Sequence, residues 1–386
     1  MKNWVTKKLD EACEVEYGTR VVNKRDGGTI YPVYGGGGAT FFMDTFNREN
    51  CFVVARFAMS EQCTRYIEGK FFLNDSGLSV KPKDAKEILQ EFLNLQLLYL
   101  NDQIYSLARG TAQKNLDVPA FRNTELHFPK SLPEQHRIVA ILDEAFAAIA
   151  KAKANAQQNL QNAKELFESY LQGVFENKGE GWEEKKINEI GIAQTGTTPK
   201  TSEKENFGDF IPFIKPADVD FSNSGDIRYD NDGLSEIGLK KGRKMESGST
   251  LMVCIGATIG KVGFAEMDVS CNQQINSLTV KKDFDPKFIY YAMTTRNFQE
   301  KVLLEGKGAQ ATLPIINKSK WENLTISFPK SKIEQKKFVE KFDALKTETQ
   351  KLESIYQQKI KDLEELKKSV LQKAFSGELK TTAVIV

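Results

Sequence analysis

The phrase FPKSLPEQ, residues 128–135, returns as FPKSKIEQ at residues 328–335. Sliding the chain along itself by that interval sets Phe128, Pro129, Lys130 and Ser131 on Phe328, Pro329, Lys330 and Ser331. Glu134 and Gln135 fall on Glu334 and Gln335, Val139 on Val339, and Asp143 on Asp343. Leu166, Ser169, Leu171, Gln172 and Phe175 then fall on Leu366, Ser369, Leu371, Gln372 and Phe375 without a gap. A stretch that tolerates no insertion is one that must keep its phase, as a long helix must.

Upstream the match continues with drifting offset. WVTKKLDEA from Trp4 parallels WEEKKINEI from Trp182, and YGT at 17–19 parallels TGT at 195–197. IYPVY from Ile30 parallels FIPFIK from Phe210, and LSVKPK from Leu78 parallels LTVKKD from Leu278. TAQKNL at 111–116 parallels GAQATL at 308–313. Loops change length where helices cannot. The chain therefore divides into a globular unit at 1–130, a helix at 131–177, a second globular unit at 178–330, and a helix with a tail at 331–386.

Pro133 in a first turn followed by Glu134 starts the first helix, which runs proline-free to about Glu176. Its partner runs from after Ser331 to about Ser376, where Gly377 is a natural stop. Each is about 60 Å long at ~1.5 Å per residue. The second helix carries a seam at Phe338, Phe342, Leu345, Thr349, Leu352, Tyr356, Lys359, Leu363, Leu366 and Val370, alternating steps of four and three. The same positions in the first are Ile138, Leu142, Ala145, Ile149, Ala152, Ala156, Asn159, Ala163, Leu166 and Tyr170. Bulky residues facing alanines let two axes approach closely, so the helices are expected to pair. The globular unit between them makes antiparallel pairing the easier geometry, with Asn159 and Lys359 interrupting the seam to fix register.

Bulk properties exclude more than they assign. The 54 basic and 52 acidic residues leave a net charge of +2, so any phosphate footprint must be gathered by the fold. The amino-terminal stretch lacks the apolar core of a signal peptide, and no apolar run reaches membrane-spanning length, so a cytoplasmic protein is expected. Five cysteines without a CxxC pair, and two histidines (His127 and His136), offer no zinc pattern and no nucleophilic triad. YGGGGATF at 34–41 and IGATIGK at 255–261 lack the Gly-Lys-Ser/Thr ending of a phosphate loop. No acidic spacing suggests a two-metal core, and no dinucleotide fingerprint or base-holding Pro-Pro-aromatic tetrapeptide occurs. A non-enzyme without bound cofactor or metal is expected.

The globular units read as mixed α+β. Runs such as CFVVARF at 51–57 and TLMVCIG at 250–256 are expected strands, and 86–100 and 286–302 expected helices. GLKKGRK at 238–244 is the densest basic cluster, giving Lys240, Lys241, Arg243 and Lys244 as phosphate candidates. Arg48, Arg56, Arg65, Lys200, Lys215, Arg228 and Lys261 join them on expected loops or strand ends. Arg, Asn and Gln read base edges through paired hydrogen bonds, which adds Asn74, Gln273 and Gln274. Gly36 and Gly37 permit close backbone approach to a ligand.

Two globular units, each followed by a Phe-Pro-Lys-Ser-x-x-Glu-Gln phrase and a long helix ending in Leu-Gln-x-x-Phe, resemble the specificity subunit of type I restriction–modification enzymes. The phrases are Pro129, Glu134, Gln135, Leu171, Gln172 and Phe175, then Pro329, Glu334, Gln335, Leu371, Gln372 and Phe375; AFSGEL at 374–379 is also typical. The second copy departs at Lys332-Ile333, losing the starting proline. The resemblance implies an α+β chain of two target recognition domains joined by an antiparallel coiled coil with internal pseudo-twofold symmetry. It implies double-stranded DNA as ligand, read as a split site. It further implies docking to modification subunits, two in number, that carry S-adenosylmethionine and methylate adenine. Restriction subunits using ATP and Mg would complete the nuclease. An architectural coiled-coil protein with protein-binding ends is the alternative.

Overall fold

In the computed structural model, which describes residues 3–220, 225–307 and 314–379, the chain forms two compact units, and each takes part of both long helices. One comprises residues 1–158 with 356–386, the other residues 159–355. The first helix is Leu132–Glu176 and the second Lys332–Phe375. Gly377 follows the second with φ +76, the left-handed conformation that ends a helix. The parallel at 308–313 lies outside the described residues.

In the first unit a six-stranded sheet runs in the order Cys13–Tyr17, Gly77–Pro82, Arg48–Ala55, Thr64–Leu73, Tyr31–Tyr34, Ala39–Met43. Pairing is antiparallel except between Tyr31–Tyr34 and Thr64–Leu73. Asn50 (φ 45) and Gly69 (φ +77) flank a register shift that bends the long strand. The strand Trp4–Lys8 pairs separately with Glu125–Pro129, Trp4 opposite Pro129.

The second unit repeats this plan with Trp182–Lys186 against Thr325–Pro329, Trp182 opposite Pro329. Its described residues form two four-stranded sheets. One has the order Gly191–Thr195, Ile275–Val280, Thr250–Val253, Val262–Phe264; the other has Gly233–Leu234, Phe207–Ile214, Val269–Cys271, Lys244–Met245. The single bent strand of the first unit is here two short strands, and the parallel pairing survives between Phe207–Ile214 and Val269–Cys271.

The helix ends supply core. Leu371, Ala374 and Phe375 pack in the first unit with Phe92, Phe128, Ile138 and Leu142, and Phe375 stacks on Tyr99 at 5.2 Å. Leu171 and Phe175 do the same in the second unit, where Phe175 meets Trp182 at 5.6 Å and Phe288 at 5.3 Å. The repeated Leu-Gln-x-x-Phe is thus a plug for a domain core. Within the first unit Phe146 lies under Lys367 and Lys153 pairs with Glu364 at 2.7 Å. One number rises as the other falls, so the two segments are antiparallel. In the second unit Tyr170 packs on Phe342 and Phe175 on the same ring.

Three sequence expectations change. Asn159 and Lys359 are exposed; their neighbours Leu160 and Ile360 are partly buried. From there the first helix buries Ala163, Phe167 and Leu171 to differing degrees, leaving Leu166 and Tyr170 49% and 37% exposed. A helix of ~3.6 residues per turn drifts against a strict heptad, and the apolar face follows the drift. The expected helix over 286–302 is two, Pro286–Thr294 and Arg296–Gly306. They break at Thr295, which is extended and whose hydroxyl donates to the Ala292 carbonyl. The Gln172 side chain accepts the freed Arg296 N–H at 3.0 Å. Finally, Leu78 is the structural counterpart of Asn276, not Leu278: Tyr17 faces Leu78 and Thr195 faces Asn276. A two-residue slip keeps side chains on the same face, which is why the sequence match looked sound.

Candidate nucleic-acid interface

One turn is built twice from the same set of backbone bonds. In the first unit Asn74 N–H donates to the Tyr34 carbonyl at 2.8 Å, and the Asn74 side-chain oxygen accepts the Ser76 N–H at 2.9 Å. In the second, Asn272 N–H donates to the Ile214 carbonyl at 3.0 Å and its side chain accepts the Gln274 N–H at 3.1 Å. Thr19 N–H reaches the Leu73 carbonyl at 2.9 Å; Thr197 N–H reaches that of Cys271 at 2.8 Å. Arg56 N–H donates to the Ser76 carbonyl and Cys254 N–H to that of Gln274, both at 2.8 Å. Leu116 and Ile316 N–H groups then close on the Arg56 and Cys254 carbonyls.

Glycine is required where the strands leave this turn. A Cβ on Gly18 would stand 1.9 Å from the Asn74 carbonyl oxygen, and one on Gly196 would stand 2.1 Å from that of Asn272. This explains the glycine that YGT and TGT share. Asn74 is therefore a frame residue, whose side-chain oxygen holds the turn. Its partner Asn272, which sequence reading passed over, does the same work. Only the structure reveals the pair, because the bonds are to backbone and the offset had drifted.

The side chains mounted on the frame differ between units. In the first, the Arg56 guanidinium lies 4.9 Å from the Tyr17 ring centre and 4.4 Å from that of Phe57, and Nη1 donates to the Asp75 carbonyl at 3.2 Å. Cation–π packing on two rings holds a planar fork in one orientation. Arg65 Nη2 donates to the Gly36 carbonyl at 2.9 Å, which brings Gly36 to the same place; Gly37 beside it has open space around its Cβ position. Tyr17 and Phe57 carried no signal in the sequence. In the second unit Arg243 Nη1 donates to the Thr195 carbonyl at 2.7 Å, and Thr198 donates to the Gln273 side-chain oxygen at 2.5 Å. Asn272 Nδ2 donates to Gln274 Oε1 at 3.0 Å. Among the described residues, the Nε2 groups of Gln273 and Gln274 meet no acceptor.

The remaining candidates are spread more widely. Arg48 is engaged inside its unit: it pairs with Glu16 at 3.1 Å and donates to Ser79 Oγ at 2.8 Å, with 14% of its side chain exposed. Lys200 and Lys241 share Glu203, at 3.6 and 2.8 Å. Lys240 pairs with Glu236, Lys244 with Asp268, and Lys215 with Asp232, at 3.3, 2.5 and 2.6 Å. Lys240 and Lys241 end the short helix Glu236–Lys241. Hydrogen bonding to the Glu203 carboxylate raises the Lys241 pKa, and bonding to that of Asp268 raises the Lys244 pKa, so both stay charged at neutral pH. Lys261 Nζ donates to the Asp220 carbonyl at 3.2 Å, and Arg228 is exposed with its N–H on the Asp218 carbonyl. In the GLKKGRK run Lys240, Lys241 and Lys244 are thus matched by carboxylates, whereas Arg243 is held by a backbone carbonyl.

Burial pushes the thiols of Cys13 and Cys254 up to about 12 and that of Cys63 to about 11, so they stay protonated. Among the described residues no group of His, Cys, Asp and Glu is placed to hold a metal ion.

The family model for the type I restriction modification DNA specificity domain matches residues 1–160 and 179–362. The chain is 30% identical over 203 residues to the specificity subunit of the type I restriction enzyme HindI from Haemophilus influenzae, covering 52% of this chain and 42% of that one. It is 27% identical over 160 residues to the MjaIX specificity subunit from Methanocaldococcus jannaschii, covering 40% of this chain and 36% of that one. The matched stretches thus span less than half the length of either relative. In fold, it superposes on a chain solved in work on complex assembly and conformational transition of the type I R-M system, with a TM-score of 0.76 at 16% identity, covering 98% of this chain and 99% of that one. The HsdS subunit from Thermoanaerobacter tengcongensis gives a TM-score of 0.58 at 17% identity, covering 98% of each chain. With both halves matched by one model, the chain belongs to the family of type I restriction–modification DNA specificity domains.

Proposed function

We propose that this chain is the DNA-recognition subunit of a type I restriction–modification complex and reads a split site, one half with each unit. The observation that carries this is the doubled frame: two units share the bonds of a turn, glycines included, and mount different hydrogen-bonding side chains on it. A reader of two unlike half-sites needs that combination of constant scaffold and variable contacts. Exposed Lys240, Lys241, Arg243 and Lys244 supply charge for phosphate contacts in the second unit.

The long helices would set the distance between half-sites and dock the modification subunits. A helix of 45 residues is about 65 Å long, enough to hold two readers one DNA turn of ~34 Å apart. The chemistry would lie elsewhere: two modification subunits with S-adenosylmethionine methylate adenine, and restriction subunits consume ATP with Mg. The chain would act in the cytoplasm as a non-catalytic part. No helix among its described residues is long and apolar enough to cross a membrane.

The test is to delete the gene and map adenine methylation across the host genome. Loss of one split motif is expected, with the chain co-purifying with its modification subunit from the parent strain. An unchanged methylation map rejects the reading.

A further inference from the structure

The duplicated turn separates residues that make the frame from residues that could read. Frame positions bond to backbone in both units, as Asn74 and Asn272 do. What remains is a short set of side chains at equivalent places with different chemistry. Arg56 stands where the second unit has Cys254, and Asp75 and Ser76 stand where it has Gln273 and Gln274.

We propose that specificity resides in this turn, with Arg56 and Asp75 reading bases for the first unit and Gln273 and Gln274 for the second. This rests on the split-site reading above and assigns its code to particular side chains. Arg56 presents a fork clamped between Tyr17 and Phe57, which suits the paired acceptors on the major-groove edge of guanine. Beside it the Asp75 carboxylate, acceptor only, meets no donor among the described residues and suits the amino group of cytosine. The pair together would read both bases of one G·C pair or of adjacent pairs. In the second unit Thr198 and Asn272 donate to the Gln273 and Gln274 oxygens, which fixes both amides with their Nε2 groups outward. A row of donors suits acceptor atoms, the N7 of either purine, the O6 of guanine and the O4 of thymine.

Pre-organisation supports the assignment over a chance surface. A flexible side chain loses rotamer freedom on binding, whereas an arginine already stacked on two rings and a glutamine already bonded through its oxygen lose less. The neighbouring Gly37 adds no Cβ to obstruct the approach of a base edge.

The experiment uses the full complex of this chain with its modification subunits and sequences the DNA it methylates. Asp75→Ala should relax one half of the motif, and Gln273→Ala with Gln274→Ala should relax only the other. The expected loss of discrimination is on the order of 10- to 100-fold at the affected base pair. A motif unaltered in both halves at wild-type methylation rate overturns the assignment. A wild-type complex without a two-part motif would instead overturn the split-site reading itself. Should an alanine variant be inactive, Asp75→Asn and Gln273→Glu preserve shape. A changed base in one half then supports the proposal, and the original motif rejects it.

Discussion

The side-chain amide of Gln135 donates to the carbonyl of Pro129 at 2.8 Å, six residues back across the joint between strand and helix. It also donates to the Glu87 carbonyl at 2.8 Å and accepts the Leu89 N–H at 2.9 Å, and it is fully buried. Gln335 repeats this with Pro329 and the Asp285 N–H, each at 2.8 Å. A primary amide carries two donors and an acceptor in one head, which is what the three bonds of Gln135 require, so the joint specifies glutamine. The repeated glutamine is a clamp that fixes each globular unit on its helix.

Gln135→Ala strands two carbonyls and an amide in the interior. A loss of about 2–4 kcal/mol in the unfolding of the first unit is expected, from ~1–3 kcal/mol per orphaned group with partial relief by water. Gln135→Glu should be at least as damaging, because a carboxylate cannot donate to Pro129. Denaturant unfolding checks both; a loss below about 1 kcal/mol would remove the clamp.

Phe375→Ala should destabilise the first unit by about 3 kcal/mol, the usual cost of emptying a buried aromatic site. Its ring is 5% exposed and meets Phe92 and Tyr99. Leu166→Ala, on a side chain 49% exposed, should cost under about 1 kcal/mol despite its seam position in the heptad count. Equal effects at Leu166 and Phe375 would restore the heptad reading.

These contrasts show what the sequence could disclose. Phe128–Gln135 and Phe328–Gln335 revealed the duplication and the helix starts, because a continuous helix cannot hide an insertion; the antiparallel partnership came from the alanine-rich and bulky seams and the globular unit between them. Asn159 and Lys359 misled by one position, since a counted heptad ignores the drift of a real helix until burial exposes it. The Asn74 and Asn272 turns were illegible as a pair. Their frame is made of N–H and C=O groups that every residue owns, and loop insertions had shifted the numbering. Arg56, Gln273 and Gln274 were named for their residue type alone, among others such as Arg48 that the fold uses internally.

Replacing Lys240, Lys241, Arg243 and Lys244 together with alanine should weaken DNA binding and reduce its salt dependence. Each phosphate contact contributes ~0.9 to the logarithmic slope. Because Lys240, Lys241 and Lys244 already sit on carboxylates, a reduction of about 1–3 rather than the full amount is expected. Titration across salt concentrations measures it, and an unchanged slope would assign the cluster to intramolecular pairing.

The spacer between half-sites is the most direct test that one chain measures DNA with two readers. Removing residues 152–158 and 356–362 together takes one heptad from each helix, about 10 Å of length and up to three base pairs of DNA. Sequencing DNA methylated by the complex should show both half-motifs retained and the unread spacer between them changed. Retention of both half-motifs at the original spacing would contradict the account.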